Sequence, residues 1–178
     1  MDSGHGQVRY LNEPANIICM KQPKPGKVIA KDTPLAEITL RKYEKPFNLS
    51  QRELVRKLCL SMGLLQPGDS RDIIVDILYV LLKSKKERKE LSSDDIKELV
   101  ILSRKDANLA LAGIASSNIR RQLKRLRDLF LIDKVRNRYR INEHESLNKI
   151  FQEKIEQYLL QTVVSRVKDY FEVIDREF

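Results

Sequence analysis

Apolar positions change their period twice along this chain, and the changes divide it into three parts. Residues 1–48 hold five of the six prolines (Pro14, Pro23, Pro25, Pro34, Pro46) and three of the six glycines, which leaves no room for a long helix. Short apolar pieces, Ile17 to Met20 and Val28 to Ala30, flank a Pro23-Lys24-Pro25-Gly26 turn. Between Glu37 and Tyr43, Ile38 and Leu40 alternate with polar neighbours at period two. Two readings of this N-terminal arm stand open: short strands laid on the main body, or an extended segment that orders against a partner.

From Ser50 the period becomes helical. Ser50 and Glu53 form a capping box ahead of Leu54, Val55, Leu58 and Met62, which predicts a helix to about Met62, ended by Gly63 and the Gln66-Pro67-Gly68 turn. Asp69 or Ser70 is placed to cap a second helix over Ile73–Leu82. That segment is apolar nearly all round and so belongs at the centre of the core. Its acidic start (Asp69, Asp72, Asp76) would repel phosphate, so these two helices read as scaffold; Asp72 and Asp76 are assigned to capping and solvation. After a basic connection, Lys83 to Glu90, Ser92 and Asp95 cap a third helix bearing Ile96, Leu99 and Val100. It ends near Asp106 or runs on to Ala112, before Gly113.

The next segment carries the chemistry. Gly113 suits a left-handed turn and Ser116 or Ser117 caps a new helix. Ile119, Leu123, Leu126 and Phe130 recur at i, i+4, i+7 and i+11 to pin one face to the core. At 100° per residue, Ser117, Arg121, Lys124 and Arg125 fall on the opposite face, with Arg120 and Arg127 on its flank. Asp133 to Ile141 then alternates basic and apolar residues around Asn137. This predicts a hairpin with Val135, Tyr139 and Ile141 inward and the arginines Arg136, Arg138 and Arg140 outward. Tyr139 is expected to pack rather than to stack on a base.

Charge sharpens the picture. The chain carries 34 Lys or Arg against 25 Asp or Glu, a net +9 over 178 residues; residues 120–140 hold nine of the cations and only two Asp, so +7 of the +9 sits on one helix and its hairpin. A merely solubilising surface would mix both signs, and no wide apolar face accompanies these cations as an interfacial membrane helix requires. Concentrated positive charge on adjacent elements points to nucleic acid.

A helix of this kind followed at once by a basic hairpin resembles the winged helix-turn-helix superfamily of DNA-binding proteins, over roughly residues 70–142 and most strongly from Gly113 to Ile141. The resemblance implies a recognition helix in the major groove, offering Ser116, Ser117, Asn118, Arg120, Arg121, Lys124 and Arg125, and a wing (Lys134, Arg136, Arg138, Arg140) on the backbone or in the minor groove. One departure is plain: many members have Gly where Phe130 stands.

Asn142 and Glu145 are placed to cap a final helix running without Gly or Pro to about Asp175, about 48 Å long. Phe151, Ile155, Tyr158, Leu159, Val163, Val167, Tyr170, Phe171, Ile174 and Phe178 trace an apolar stripe, while the charges from Glu143 onward sum to −3. An apolar stripe on an acidic helix calls for a protein surface. The expectation is dimerisation with a second chain, parallel or antiparallel, through Phe151, Ile155, Tyr158, Leu159, Val163, Val167, Phe171 and Ile174; folding back on the chain's own body is the alternative.

The expected fold is therefore mainly α with a small β-hairpin wing: an arm over residues 1–48, a winged-helix domain over 49–142, and a long C-terminal helix over 143–178. With 42% apolar and 33% charged residues and few aromatics, the composition argues against a many-stranded sandwich. No run approaches 18 apolar residues and Met1 to Tyr10 is polar and Gly-containing, which reads as an intracellular chain, cytoplasmic or nucleoid-associated, with no membrane partner. His5, His144, Cys19 and Cys59 show no metal spacing, and neither a phosphate-cradling glycine loop nor a nucleophile paired with a base is present; no catalysis, cofactor or metal is expected, and the cysteines read as buried apolar residues. The leading expectation is a non-enzymatic protein that docks on double-stranded DNA, a transcription regulator. An RNA-binding or ribosome-associated protein, or an adaptor in a chromosome-maintenance complex, are the alternatives.

Overall fold

The computed structural model describes residues 33–178, so Ile17–Met20, Val28–Ala30, His5 and Cys19 lie outside the described part. Ser50 opens the first helix, α1 (Gln51–Ser61), by the expected capping box: its hydroxyl accepts from the Glu53 amide and the Glu53 carboxylate accepts from the Ser50 amide. The end of α1 is closed from the arm. Arg41 donates to the carbonyls of Leu60 (2.9 Å) and Leu65 (3.3 Å) and to Gln66 Oε1 (2.7 Å), supplying partners that a helix C-terminus lacks. Residues 37–43 thus lie on the body, with Ile38 and Tyr43 against the core, but form no strand. Gly63 is obligatory at this junction: φ is +68° and a Cβ there would stand 2.6 Å from Thr39 Cβ.

The apolar helix α2 (Ile73–Lys85) takes the centre, touching α1, α3 (Ser93–Asp106), α4 (Ser116–Asp128) and the hairpin. Its residues Ile73, Ile74, Val75, Ile77, Leu78 and Leu81 are almost wholly buried. The capping differs from expectation, since Asp72 is the N-cap but its side chain accepts no capping bond from the helix, and Asp69 accepts from the Arg71 amide. Asp72 and Asp76 are not solvated either. Both are buried, and Arg52 of α1 and Arg104 of α3 each bridge the two, while Arg104 Nε also donates to Ala110 O at 2.8 Å. An isolated buried carboxylate is untenable, so these arginines come in from two other helices and lock three elements together.

Helix α3 begins on the Ser92–Asp95 capping box and stops at Asp106 rather than continuing to Ala112. Strands β1 (Ile132–Val135) and β2 (Arg138–Ile141) pair antiparallel with Val135 opposite Arg138, leaving Arg136 (φ +48°) and Asn137 (φ +64°) as a two-residue turn with both φ values positive. Leu91, just before α3, exchanges both backbone bonds with Tyr139 (3.0 and 2.7 Å), so a third extended segment lies beside β2.

The last helix, α5, spans residues 147–177. Its cap is Ser146, whose hydroxyl accepts from the Lys149 amide at 3.2 Å; Asn142 to His144 make a short 3-10 turn instead, so Asn142 and Glu145 are not the cap expected. Residues Phe151–Leu160 are wound as a π-helix, and i→i+5 winding lets Ile150 and Ile155 both enter the core. No residue of Gln161–Glu177 is buried. Among the described residues, no helix is long and apolar enough to cross a membrane.

Candidate nucleic-acid interface

Helix α4 is amphipathic in the sense expected. Ile119, Leu123 and Leu126 are buried, and Arg120, Arg121, Lys124, Arg125 and Arg127 are exposed. Gly113 sets its entry: φ is +81°, and a Cβ would come within 3.1 Å of Asn118 Nδ2 and 3.6 Å of Ile73. Neither Ser116 nor Ser117 caps the helix. The N-cap is Ala115, which leaves the Ser117 hydroxyl exposed and the half-buried Ser116 hydroxyl accepting from Lys97 Nζ of α3 at 3.3 Å.

Asn118 fixes the entry to the helix without capping it. Its Nδ2 donates to Gly113 O at 2.7 Å, and its Oδ1 accepts from Arg121 (2.9 Å) and from the buried Gln122 (3.1 Å). It ties the loop to the helix and is largely engaged within the chain. Arg125 is likewise held, donating to Gln122 Oε1 at 2.9 Å and Leu64 O at 2.7 Å. Among the described residues Lys124 pairs only with Asp128, one turn away on the exposed surface, an interaction that solvent renders weak.

The hairpin divides its cations. Arg140 is half-buried and held by Asp133 (2.9 Å) and Glu90 (3.0 Å); the Asp133 hydrogen bond leads in raising its pKa above the usual arginine range. It is a structural residue of the wing base and does not face outward as expected. Arg138 is exposed with one bond to Glu90 O, Arg136 stands in the turn, and Lys134 lies 5.5 Å from the Tyr139 ring centroid. Tyr139 is buried, as a packing residue should be, and Ile141 with it. Val135 is exposed instead of buried, because it pairs with Arg138 and so lies on the hairpin face opposite Ile132, Tyr139 and Ile141.

Between α4 and the 64–71 loop is a cleft of about 650 Å³, lined by Ser117, Arg121 and Arg125 on one side and Asp69 and Arg71 on the other. Arg71, 81% exposed, adds a cation that sequence reasoning missed, because its acidic neighbours Asp69 and Asp72 made the whole turn read as phosphate-repelling. Burying Asp72 among arginines cancels that charge. The structure thus brings together on one helix and one hairpin a set of unburied cations (Arg120, Arg121, Lys124, Arg127, Lys134, Arg136 and Arg138), while Asn118, Arg125 and Arg140 are tied to the framework. No group of three or more His, Cys, Asp or Glu side chains placed to hold a metal occurs among the described residues. No protein-family model, curated protein or solved structure matches the chain.

Proposed function

We propose that this protein is a winged-helix protein that binds double-stranded DNA and acts by docking, as a transcription regulator. The observation that carries this reading is the placement of +7 of the +9 net charge on residues 120–140, with seven of those cations unburied on α4 and the hairpin. The element order supports it: α2, the Leu91 bridge, α3, α4, then a two-stranded hairpin follows the order of a winged helix-turn-helix. In that scheme α4 enters the major groove with Ser117 and Arg121 toward base edges, Arg120, Lys124 and Arg127 meet phosphates, and Arg136 and Arg138 at the wing meet the backbone or minor groove.

Phosphate neutralisation dictates the test. Affinity for a duplex should fall steeply with salt, and R121E/K124E should remove binding in a gel shift, with the thermal midpoint unchanged since both side chains are exposed. Duplex binding that survives in this variant would overturn the assignment of α4. Competition by structured RNA at equal or lower concentration than duplex DNA would move the reading to an A-form target.

A further inference from the structure

The outer half of α5 has an unpartnered seam. Ile150 and Ile155 anchor the helix in the chain's own core, which removes Ile155, and the half-buried Phe151, from the stripe expected to pair with another chain. Beyond Gln161 the situation reverses. Val167, Phe171, Ile174 and Phe178 are 48, 63, 50 and 104% exposed. With Val164 they recur at alternating intervals of three and four, the 3.5-residue repeat of a two-stranded coiled coil. Written as a heptad, Val164, Phe171 and Phe178 take position a, and Val167 and Ile174 take position d.

Charge decides what fits the seam. Lys168 and Asp175 flank it, both at position e, and among the described residues neither makes an ion pair; Arg166 and Asp169, on the far side of the helix, do pair at 3.2 Å. We propose that residues 167–178 pair antiparallel with the same segment of a second copy of this chain, with Lys168 against the partner's Asp175 and Asp175 against the partner's Lys168. In an antiparallel pair, e faces e across the seam, and the register that sets Phe171 on the partner's Ile174 brings these opposite charges together twice by symmetry. Sliding by one heptad would put Lys168 against the partner's Lys168. A parallel pair would set Tyr170 beside the partner's Asp175 and Val163 beside the partner's Lys168, answering neither charge.

The inference does not depend on the nucleic-acid reading, and its test involves no nucleic acid. Light scattering of the full chain at about 50 µM, a concentration suited to a small interface, should give twice the chain mass. F171E should give the chain mass. K168E and D175K should each weaken association about tenfold, and the K168E/D175K double variant should recover to within about threefold of the wild type, since opposite charges face each other again. All three positions are exposed, so the thermal midpoint of a monomeric variant should remain that of the folded chain. A wild-type monomer at that concentration, a dimer unaffected by F171E, or a double variant no better than the singles would each overturn the proposal; the first would also indicate that a different protein, or the chain's own N-terminal segment, covers the seam.

Discussion

Phe130 has φ +58°, a left-handed conformation that costs a residue with a Cβ about 1–2 kcal/mol. Many members of the superfamily that the sequence resembles have glycine at this point, and the backbone here has the geometry a glycine would accept. The side chain nevertheless has a use. It is half-buried and stands edge-on to Tyr158 of α5 at 6.1 Å between ring centroids, a contact worth about 0.5–1.5 kcal/mol in addition to roughly 1–2 kcal/mol for its burial. Glycine would also add freedom to the unfolded chain, about 0.5–1 kcal/mol. Losses exceed the strain relieved, so Phe130→Gly is expected to destabilise by about 1–2 kcal/mol in urea denaturation; a more stable variant would show that the contact with Tyr158 is worth less than the strain. Hydrophobic spacing alone marks Phe130 as a core position, and it is indeed packed, but nothing local reveals that the helix stops at Asp128 and that Phe130 belongs to the exit. Asn118 was similarly opaque. Its type fits a base reader as well as a loop tie, and only its position next to Gly113 O decides between them.

Among the elements, those whose determinants are contiguous were legible. The capping boxes at Ser50 and Ser92, the turn around Asn137 and the basic face of α4 are each written within a few neighbouring residues, and each forms. The acidic start of α2 was misread because the residues that neutralise it are 20 to 32 positions away, on α1 and α3. Burial tends to raise the Asp72 pKa, but the hydrogen bonds from Arg52 and Arg104 outweigh it and hold the carboxyl below its ordinary value. A group depressed on folding stabilises fully above its unfolded pKa, about 3.9, and that stabilisation is lost as pH falls through the lower folded value. Arg104→Leu leaves Asp76, 1% exposed, with Arg52 as its remaining partner and is expected to cost about 3–5 kcal/mol at pH 7. The same substitution should cost less at a pH below the depressed folded value of Asp72, where that carboxyl is protonated and no longer needs the cation. Denaturation at both pH values measures the difference, and a penalty independent of pH would show that Arg104 acts through packing alone.

For the whole molecule, the consequence lies in combining the two surfaces. Antiparallel pairing centred between Glu172 and Val173 would leave about 17 residues of α5 from Ile155 to the two-fold axis, or roughly 26 Å in each chain, so the two anchoring points would stand about 50 Å apart. Two bodies joined at that separation would need a duplex longer than a single contact to engage both basic faces. On the proposed DNA-binding reading, each basic face alone should bind weakly through phosphate contacts, and joining two on one rod would convert the second encounter into an intramolecular one. A duplex of about 40 base pairs should therefore bind the wild type at least tenfold more tightly per site than one of about 12, at equal salt. F171E, which leaves α4 and the hairpin untouched, should bind the short duplex as the wild type does and lose the gain on the long one. Equal affinities for both lengths in the wild type would separate the two surfaces: the seam would then serve assembly without helping the basic face to hold DNA.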